Sequence, residues 1–338
     1  MKKFLSVLIT VLLFVALTGT LAAAGNRSTA PAAAAGGPVN RANYFVTVLT
    51  GPTSGVYYPI GGAFSSFLGS IGYRTSATAT SASVENINYI LSGQGELSIA
   101  MVDSVMQAYE GYGAFDGKPP ALDLRAMMGL WPNYVQILTT TDSGIRTFED
   151  MRGKRVGVGA PNSGVELNAR MMFEAHGMTY ADCRVDYLSY GEAIEQMKNG
   201  LCDVAFVTSA LNNATILELG VTKQIYFIPV EGAPLQNLLR LYPFYIDTII
   251  PKEVYGTQQD TRTAAVINIM LVSKDLPNDV VYDMLENIYS TEGVAYIGAS
   301  HASAAENIML STALRGIRGT VIPLHDGAAQ FYRAKGMQ

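Results

Sequence analysis

The sequence predicts an α/β protein made of two units, each with a mostly parallel sheet. Short apolar runs of strand length alternate with amphipathic helical segments along almost the whole chain, and this alternation is typical of βαβ units. The chain has 338 residues, of which 49% are hydrophobic and 15% charged. That length allows two domains, and that composition excludes a disordered acidic or basic chain.

The first unit starts with a strand at Tyr44–Leu49, and the glycine-rich turn after it leads into a helix near Tyr57. A second helix is predicted at Ser83–Leu91 because its apolar residues recur at helical spacing. The remaining elements of this unit are strands at Tyr73–Thr80, Leu97–Val102, Leu124–Leu130 and Val135–Thr140 and a helix at Ser104–Glu110, with Trp131-Pro132-Asn133 separating the last two strands.

The second unit begins with a capping-box pattern at Thr147–Asp150, which predicts a short helix. Its other elements are strands at Lys154–Gly159, Arg184–Ser189, Asp203–Thr208 and Gln224–Pro229, alternating with helices at Val165–Ala175, Glu192–Lys198 and Asn212–Leu219. A longer strand at Thr263–Val272 and a helix at Asn278–Tyr289 then return to the first unit, and a short final helix is predicted at Phe331–Gly336. Such units bind ligands beyond the carboxyl ends of their strands, so two facing units predict a cleft between them.

The first 24 residues have the pattern of a secretory signal, with Lys2 and Lys3, an apolar run at Phe4–Leu17 and a small-residue site at Ala22–Ala24. A retained membrane anchor is the alternative, although the apolar run is shorter than the ~20 residues that a spanning helix needs. Residues 25–42 are rich in Ala, Gly, Pro and Ser, which predicts a flexible tether. We therefore expect a soluble protein exported to the periplasm, with cleavage near Ala24.

Charge and residue types limit the chemistry of this chain. The net charge of -5 provides no basic surface, which argues against a nucleic-acid partner. Three histidines and two cysteines show no ligand-like spacing, and the motifs of serine hydrolases, zinc proteases and nucleotide-binding loops are absent. We therefore predict no metal, no cofactor and no catalytic residues, with a metal held by carboxylates as the alternative left open.

Export bears on the two cysteines, Cys183 and Cys202, because an oxidising compartment permits one disulfide. Both cysteines precede strand-like runs. A third strand between these two strands would separate them by ~10 Å, which is beyond disulfide reach. The residues alone leave the bridge open.

Three turns that lead from a strand into a helix share one composition. Gly51–Pro59, Thr80–Glu85 and Ala160–Glu166 each combine small or hydroxyl residues with a helix start. The N–H groups of a first helical turn lack intrahelical partners and carry the positive end of the dipole, so they favour a carboxylate or phosphate. Taken singly, each serine is explained as an N-cap and each glycine as a turn residue. Their recurrence in both units predicts a site for a small dicarboxylate or amino acid.

Several segments of the chain match the motifs of one known family in order. Gly55–Ala63, with the sequence GVYYPIGGA, and the turn Asn162–Glu166, with the sequence NSGVE, resemble the GTYYPxGGA segment and the PGSGTE turn of the TAXI-type solute-binding proteins of TRAP transporters. Further matches in chain order are Ser81–Asn86, Asp103, Gly153–Val156 with Gly159, Tyr242–Tyr245 and Pro323–Ala328. The sequence departs from the family pattern at Pro52, Val56, Asn162 and Ser209–Leu211, in or beside the expected pocket.

This resemblance implies a type II periplasmic-binding-protein fold, in which two α/β lobes are joined by a hinge with a ligand cleft between them. It implies that lobe 1 comprises 43–133 and 251–338 and that lobe 2 comprises 134–250. It also implies that the strand at Lys154–Gly159 lies between the two strands that follow the cysteines, which argues against the disulfide. The implied partners are a small organic anion or amino acid, such as glutamate, glutamine or 2-oxoglutarate, and a TRAP-type permease for ion-coupled uptake.

The turns, the aromatic residues at element junctions and the family segments together give one set of candidate ligand-binding residues. They are Thr53, Ser54, Gly55, Tyr57, Tyr58, Ser81, Ser83, Val84, Glu85, Asp103, Trp131, Asn162, Ser163, Gly164, Val165, Glu166, Tyr190, Thr208 and Ser209. Two other functions stay open: a sensor that presents its closed form to a signalling receptor, and an enzyme on the same fold.

Overall fold

The computed structural model describes residues 38–337; the predicted signal sequence and residues 25–37 of the predicted tether lie outside that range. The strands are β1 (Phe45–Leu49), β2 (Arg74–Thr78), β3 (Leu97–Met101), β4 (Arg125–Thr140), β5 (Arg155–Gly157), β6 (Arg184–Asp186), β7 (Val204–Ser209), β8 (Ile225–Phe227), β9 (Tyr245–Ile250) and β10 (Thr261–Val272). The α-helices are α1 (Tyr57–Ser70), α2 (Ser83–Leu91), α3 (Val102–Glu110), α4 (Gly164–Ala175), α5 (Tyr190–Lys198), α6 (Ala214–Thr222), α7 (Gly232–Leu241), α8 (Lys252–Tyr255), α9 (Asn278–Ile288), α10 (Thr291–Gly298), α11 (Ala302–Asn307) and α12 (Asp326–Ala334).

The strands form one continuous sheet whose two halves repeat the same order. The sheet runs β2-β1-β3-β10-β4-β7-β5-β6, with β8 on β4 and β9 on β10. In the first half, β1 is parallel to β2 and β3, and β10 and β4 run antiparallel to each other. In the second half, β5 is parallel to β6 and β7, and β7 is antiparallel to β4. The first half thus has the order β2-β1-β3-β10-β4, and the second half has the equivalent order β6-β5-β7-β4-β8. In each half the fourth position is taken by a strand that crosses from the other half, β10 in the first and β4 in the second. This order confirms the type II periplasmic-binding-protein fold with two lobes.

Two long strands, β4 and β10, belong to both lobes. Their pairing extends from Arg125 opposite Val272 to Tyr134 opposite Ala265. The predicted boundary at 133/134 falls inside β4, and the predicted boundary at 250/251 falls between β9 and β10, which pair as a hairpin. The crossing point of the chain between the lobes is therefore a pair of hydrogen-bonded strands.

The predicted break at Trp131-Pro132-Asn133 is wrong, because β4 continues through it as a single strand. Proline has no N–H for the ladder and is tolerated in a sheet chiefly at edges and irregularities. Pro132 lies opposite Ile267, next to a register irregularity between Ile267 and Ile269. That irregularity lets the strand continue past the proline.

The two cysteines are both free. The strand β5 lies between β6 and β7, as the resemblance implied. The burial of both thiols raises their pKa, to about 11 in each case. The disulfide left open by the sequence is therefore absent from the fold.

Most predicted elements have the expected type, and α2 has the predicted bounds. The capping box at Thr147–Asp150 starts the predicted short helix, a 3-10 helix at Glu149–Met151, with reciprocal bonds between Thr147 and Asp150. The helices α7, α8, α10 and α11 were not predicted. Among the described residues, no helix is both long and apolar enough to cross a bilayer.

Buried polar side chains connect β4, β10 and α1 at the crossing point. Asn268 in β10 accepts hydrogen bonds from the Tyr57 hydroxyl and, at 3.2 Å, from Asn133 Nδ2. It donates from Nδ2 to the Trp131 carbonyl at 2.8 Å, and Trp131 Nε1 donates to Asn133 Oδ1 at 3.1 Å. Trp131 also packs edge-on against Tyr57, with 5.8 Å between ring centroids. We call these four side chains the crossing network.

We predict that Asn268→Ala lowers the free energy of unfolding by roughly 3 kcal/mol, because the Tyr57 hydroxyl and the Trp131 carbonyl lose a buried partner. Denaturant unfolding measures this, with Asn199→Ala on an exposed surface as the control. Since Trp131 is the only tryptophan, its emission reports on the network directly. An equal loss of unfolding free energy in the two variants, with unchanged Trp131 emission, would contradict a stabilising role of the crossing network.

Candidate functional site

The amino ends of four helices meet at one cavity between the lobes. α1 and α2 come from the first lobe, and α4 and α5 come from the second. The cavity has a volume of about 20 Å³, which is room for about one water molecule. It is lined by Pro52, Gly55, Val56, Tyr57, Ala82, Ser83, Met101, Asn133, Gly164, Val165, Tyr190, Thr208 and Ser209.

The electrostatic character of this cavity comes from backbone groups, since none of its lining residues is charged. The first N–H groups of a helix have no intrahelical acceptor, and each N-terminus carries about half a positive charge. Within the described residues, the backbone N–H groups of Tyr57, Ser83 and Gly164 have no hydrogen-bond partner. The cavity therefore presents backbone donors from both lobes with no lysine or arginine in its lining. Carboxylates in the first turns of three of these helices, Glu85, Glu166 and Glu192, lie outside the lining.

One side chain in the lining has an unused polar atom. Thr208 is 1% exposed, and its Oγ1 has no hydrogen-bond partner. Tyr190 lies beside it and donates its hydroxyl to the Thr208 carbonyl at 2.5 Å. Buried hydroxyls are rarely left without a partner, so this atom marks a point where a bound molecule would be contacted.

Two glycines lie where the lobes pack tightly against each other. A Cβ at Gly164 would lie 2.3 Å from Met101 Cε and 2.8 Å from Ser83 Oγ of the opposite lobe. A Cβ at Gly55 would lie 3.4 Å from the Tyr190 ring. The Glu85 N–H of the first lobe also donates to the Asn162 carbonyl of the second lobe at 3.2 Å, across the contact surface between the lobes, which we call the seam. The absence of side chains at these glycines is what lets the helix ends meet.

We predict that Gly164→Ala destabilises the protein by roughly 1–3 kcal/mol, since the new methyl group overlaps the opposite lobe. Gly62→Ala is the matched control, because a Cβ there meets nothing within 4 Å and alanine favours a helix over glycine by ~1 kcal/mol. Denaturant unfolding of both variants therefore gives changes of opposite sign. Equal changes would contradict the close approach at Gly164.

The backbone at the first-lobe side of the cavity is strained. Ala82 has φ 78° and ψ -141°, a region that glycine adopts and that costs other residues of order 1–3 kcal/mol. The Ala82 N–H donates to Thr80 Oγ1 at 3.0 Å, and Asn86 donates to the Thr50 carbonyl at 2.6 Å. These contacts fix the strained turn directly before α2, where Ser83 lines the cavity.

A buried carboxyl group lies beside the cavity, at the first turn of α3. Asp103 Oδ2 accepts a 2.5 Å hydrogen bond from Asn168 Nδ2 in α4 of the other lobe. Asn168 Nδ2 also donates to the Tyr245 hydroxyl at 2.8 Å. Desolvation by burial raises the pKa of Asp103 to about 7, although hydrogen bonds from Ser104 and Asn168 act in the opposite direction. The acid thus joins the lobes in a form that is protonated below neutral pH.

We predict that Asp103 makes the protein less stable as the pH rises from about 4 to about 7. In that range the Asp103 carboxyl group has lost its proton in the unfolded chain but keeps it in the folded chain. Its contribution to the free energy of unfolding is therefore full below the pKa of the unfolded state and is lost as the pH rises to the pKa of the folded state. The total is on the order of 4 kcal/mol. Unfolding of the native protein and of Asp103→Asn across this pH range measures it, and identical slopes would contradict the assignment.

A protein-family model matches residues 48–336 of the chain. The chain belongs to the NMT1-like family. This match covers nearly all of the described residues, including both lobes and every residue that lines the cavity.

Solved structures with a similar fold include a protein from Bordetella bronchiseptica RB50, with a TM-score of 0.50 and 13% identity over 86% of this chain and 98% of that chain. The periplasmic aliphatic sulphonate binding protein SsuA from Escherichia coli has a TM-score of 0.44 and 11% identity over 78% of each chain. The alkanesulfonate-binding protein SsuA from Xanthomonas axonopodis pv. citri bound to MOPS has a TM-score of 0.44 and 11% identity over 87% of this chain and 93% of that chain. At these identities the comparison concerns the fold alone.

In this NMT1-like protein, part of the candidate set predicted from the sequence lines the cavity. Those residues are Gly55, Tyr57, Ser83, Gly164, Val165, Tyr190, Thr208 and Ser209. A second group of candidates lies next to the lining and contributes to turns, helix caps or contacts between the lobes. These residues are Ser54, Ser81, Val84, Glu85, Asp103, Asn162, Ser163 and Glu166. Thr53 and Tyr58 are exposed and outside the lining, and Trp131 is fully buried in the crossing network.

The lining also contains residues that the candidate set omitted: Pro52, Val56, Ala82, Met101 and Asn133. The first three lie within or beside turns that the sequence analysis selected. Met101 ends a buried strand and Asn133 lies inside β4, so neither carried a signal that separates a cavity residue from a core residue. The capping box of Ser189 with Glu192 does mark the start of α5, and it could have identified the fourth helix end.

Proposed function

We propose that this NMT1-like protein is an extracytoplasmic solute-binding receptor of a TAXI-type TRAP transporter. It captures a small carboxylate between its lobes and delivers it to a membrane permease for ion-coupled uptake, without catalysis of its own. The convergence of four helix N-termini on one uncharged cavity carries this proposal. The TAXI-like segments, Gly55–Ala63 above all, supply the type of transporter.

A carboxylate suits the cavity because its donors are backbone N–H groups from both lobes, with the Thr208 hydroxyl beside them. Closing the cleft brings four positive helix ends together, and their repulsion opposes closure. An anion between them reverses the sign of that interaction, so the closed form is favoured when ligand is bound. The ligand therefore acts as the contact that holds the lobes together.

Transfer to a permease requires that the partner distinguish loaded from empty receptor. A hinge at the crossing of β4 and β10 supplies that difference, because closure changes the relative orientation of the two lobe surfaces. The signal pattern in residues 1–24 supports a periplasmic location for this exchange. The candidate ligands implied by the family resemblance are glutamate, glutamine and 2-oxoglutarate.

Thermal unfolding of the refolded protein tests this function, with carboxylates, amino acids, sugars and nucleosides added in turn. Refolding removes any ligand retained through purification. A ligand at a hundredfold excess over its Kd stabilises the folded state by ~2.7 kcal/mol. We expect stabilisation by small carboxylates and none by sugars or nucleosides; the reverse pattern would refute a carboxylate receptor.

Thr208→Val provides the matched test within the site, because valine keeps the shape and removes the unpartnered hydroxyl. We expect it to weaken carboxylate binding roughly tenfold. Thr291→Val is the control, since Thr291 is exposed at the start of α10, outside the cavity lining. Calorimetric titration with the carboxylate that stabilises best measures both, and an equal effect of the two substitutions would count against the proposed site.

A further inference from the structure

A buried contact between α3 and α4 joins the two lobes at one carboxyl group. Asp103, the second residue of α3, is 0% exposed, and its Oδ2 accepts from the Asn168 amide of α4 at 2.5 Å. Asn168 is also 0% exposed, and its amide donates in addition to the Tyr245 hydroxyl of β9 at 2.8 Å. When the lobes open, α3 separates from α4 and water reaches Asp103. The contact therefore gives one acid different surroundings in the closed and open forms.

The Asp103 carboxyl group is buried without a cationic partner. Its side-chain hydrogen bonds come from the Asn168 amide and, at 3.3 Å, from the Ser104 hydroxyl. Among the ion pairs of the described residues, none includes Asp103. Burying an unpaired carboxylate is costly, and desolvation raises the pKa of Asp103 to about 7. A protonated acid needs an acceptor, and Asn168 Oδ1, which is buried without a partner, becomes one when the amide turns.

The other ionisable groups around Asp103 leave its charge uncompensated. Three tyrosines act on it through space, and the pKa of each is raised: Tyr57 of α1, Tyr112 after α3 and Tyr245 of β9. All three are therefore neutral near pH 7. On α4, Glu166 and Arg170 pair with each other at 2.7 Å, and on α3 the carboxylate of Glu110 lies two helical turns away. None of these groups contacts the Asp103 carboxyl group in a way that would hold a negative charge there.

Resting on the proposed function, we propose that closure of the lobes around a carboxylate takes up one proton at Asp103, so that ligand affinity falls as the pH rises. The proton comes from solvent when Asp103 is buried between the lobes, and it returns to solvent when they open. The closed form holds this proton to a higher pH than the open form, in which Asp103 is solvated. The gain in affinity is therefore full below the pKa of the open form and is lost as the pH rises to the pKa of the closed form. The coupling is reciprocal, so ligand binding draws in the proton and the proton strengthens binding.

Calorimetric titration of the refolded protein in buffers of different ionisation enthalpy counts the protons taken up on binding. The probes are acetate, glutamate and 2-oxoglutarate, and the one that binds most tightly is used. We expect uptake of about one proton per ligand at about pH 6 and almost none at about pH 8.5, with binding about tenfold tighter at the lower pH. Binding without proton uptake at the lower pH would overturn the proposal and leave the receptor standing. Binding of none of the three probes at either pH would refute the carboxylate receptor itself, and the coupling with it.

Asp103→Asn is the matched variant, because asparagine keeps the shape of a protonated aspartate and does not titrate. We expect it to bind the same probe without proton uptake and with the same Kd at both pH values. Asp116→Asn is the control, since Asp116 is exposed, and it should keep the proton uptake of the native protein. A thermal unfolding midpoint establishes that each variant is folded, and the proton count in the native protein does not depend on either variant. Native proton uptake in folded Asp103→Asn would overturn the assignment to Asp103.

Discussion

The antiparallel pairing of β4 with β10 is the contact on which the rest of the structure depends. Both strands pass from one lobe into the other, so the sheet stays continuous while each lobe keeps its own strand order. Asn268 fixes this pair to Tyr57, the first residue of α1, and lies opposite Met101 of β3. Since Tyr57 and Met101 also line the cavity, the residues that hold the crossing strands also position two walls of the site.

A second constraint is electrostatic. The fold brings the amino ends of α1, α2, α4 and α5 to one point without a carboxylate side chain in the lining, so their partial positive charges face each other in a buried space. The contacts that cross the seam are short and local: the close approach at Gly164, the Glu85 to Asn162 backbone bond, and Asp103 with Asn168. Under the proposed function, an anion supplied from outside would offset the repulsion between the helix ends, and ligand binding and lobe closure would be two aspects of one equilibrium.

The sequence was sufficient for the alternation of strands and helices and for three of the four helix ends, because composition and periodicity are local properties. It failed where tertiary context decides. Pro132 lies inside β4 because an irregularity opposite it tolerates the missing N–H, and Gly232 and Pro234, typical turn residues, begin the unpredicted helix α7. Trp131, selected as a candidate for the cleft, packs in the crossing network instead. The roles of Met101 and Asn133 depend on which strands meet, which a single sequence does not display.

The central claim is that one ligand contacts helix ends from both lobes at once. Backbone amide resonances of the isotopically labelled protein, followed during titration with the small carboxylate that most raises the thermal unfolding midpoint, test it most directly. The account predicts that the N–H signals of Tyr57, Ser83, Gly164 and Tyr190 shift together in one saturable transition. Shifts confined to one lobe, or centred on the separate groove lined by Gln107 and Arg170, would contradict it.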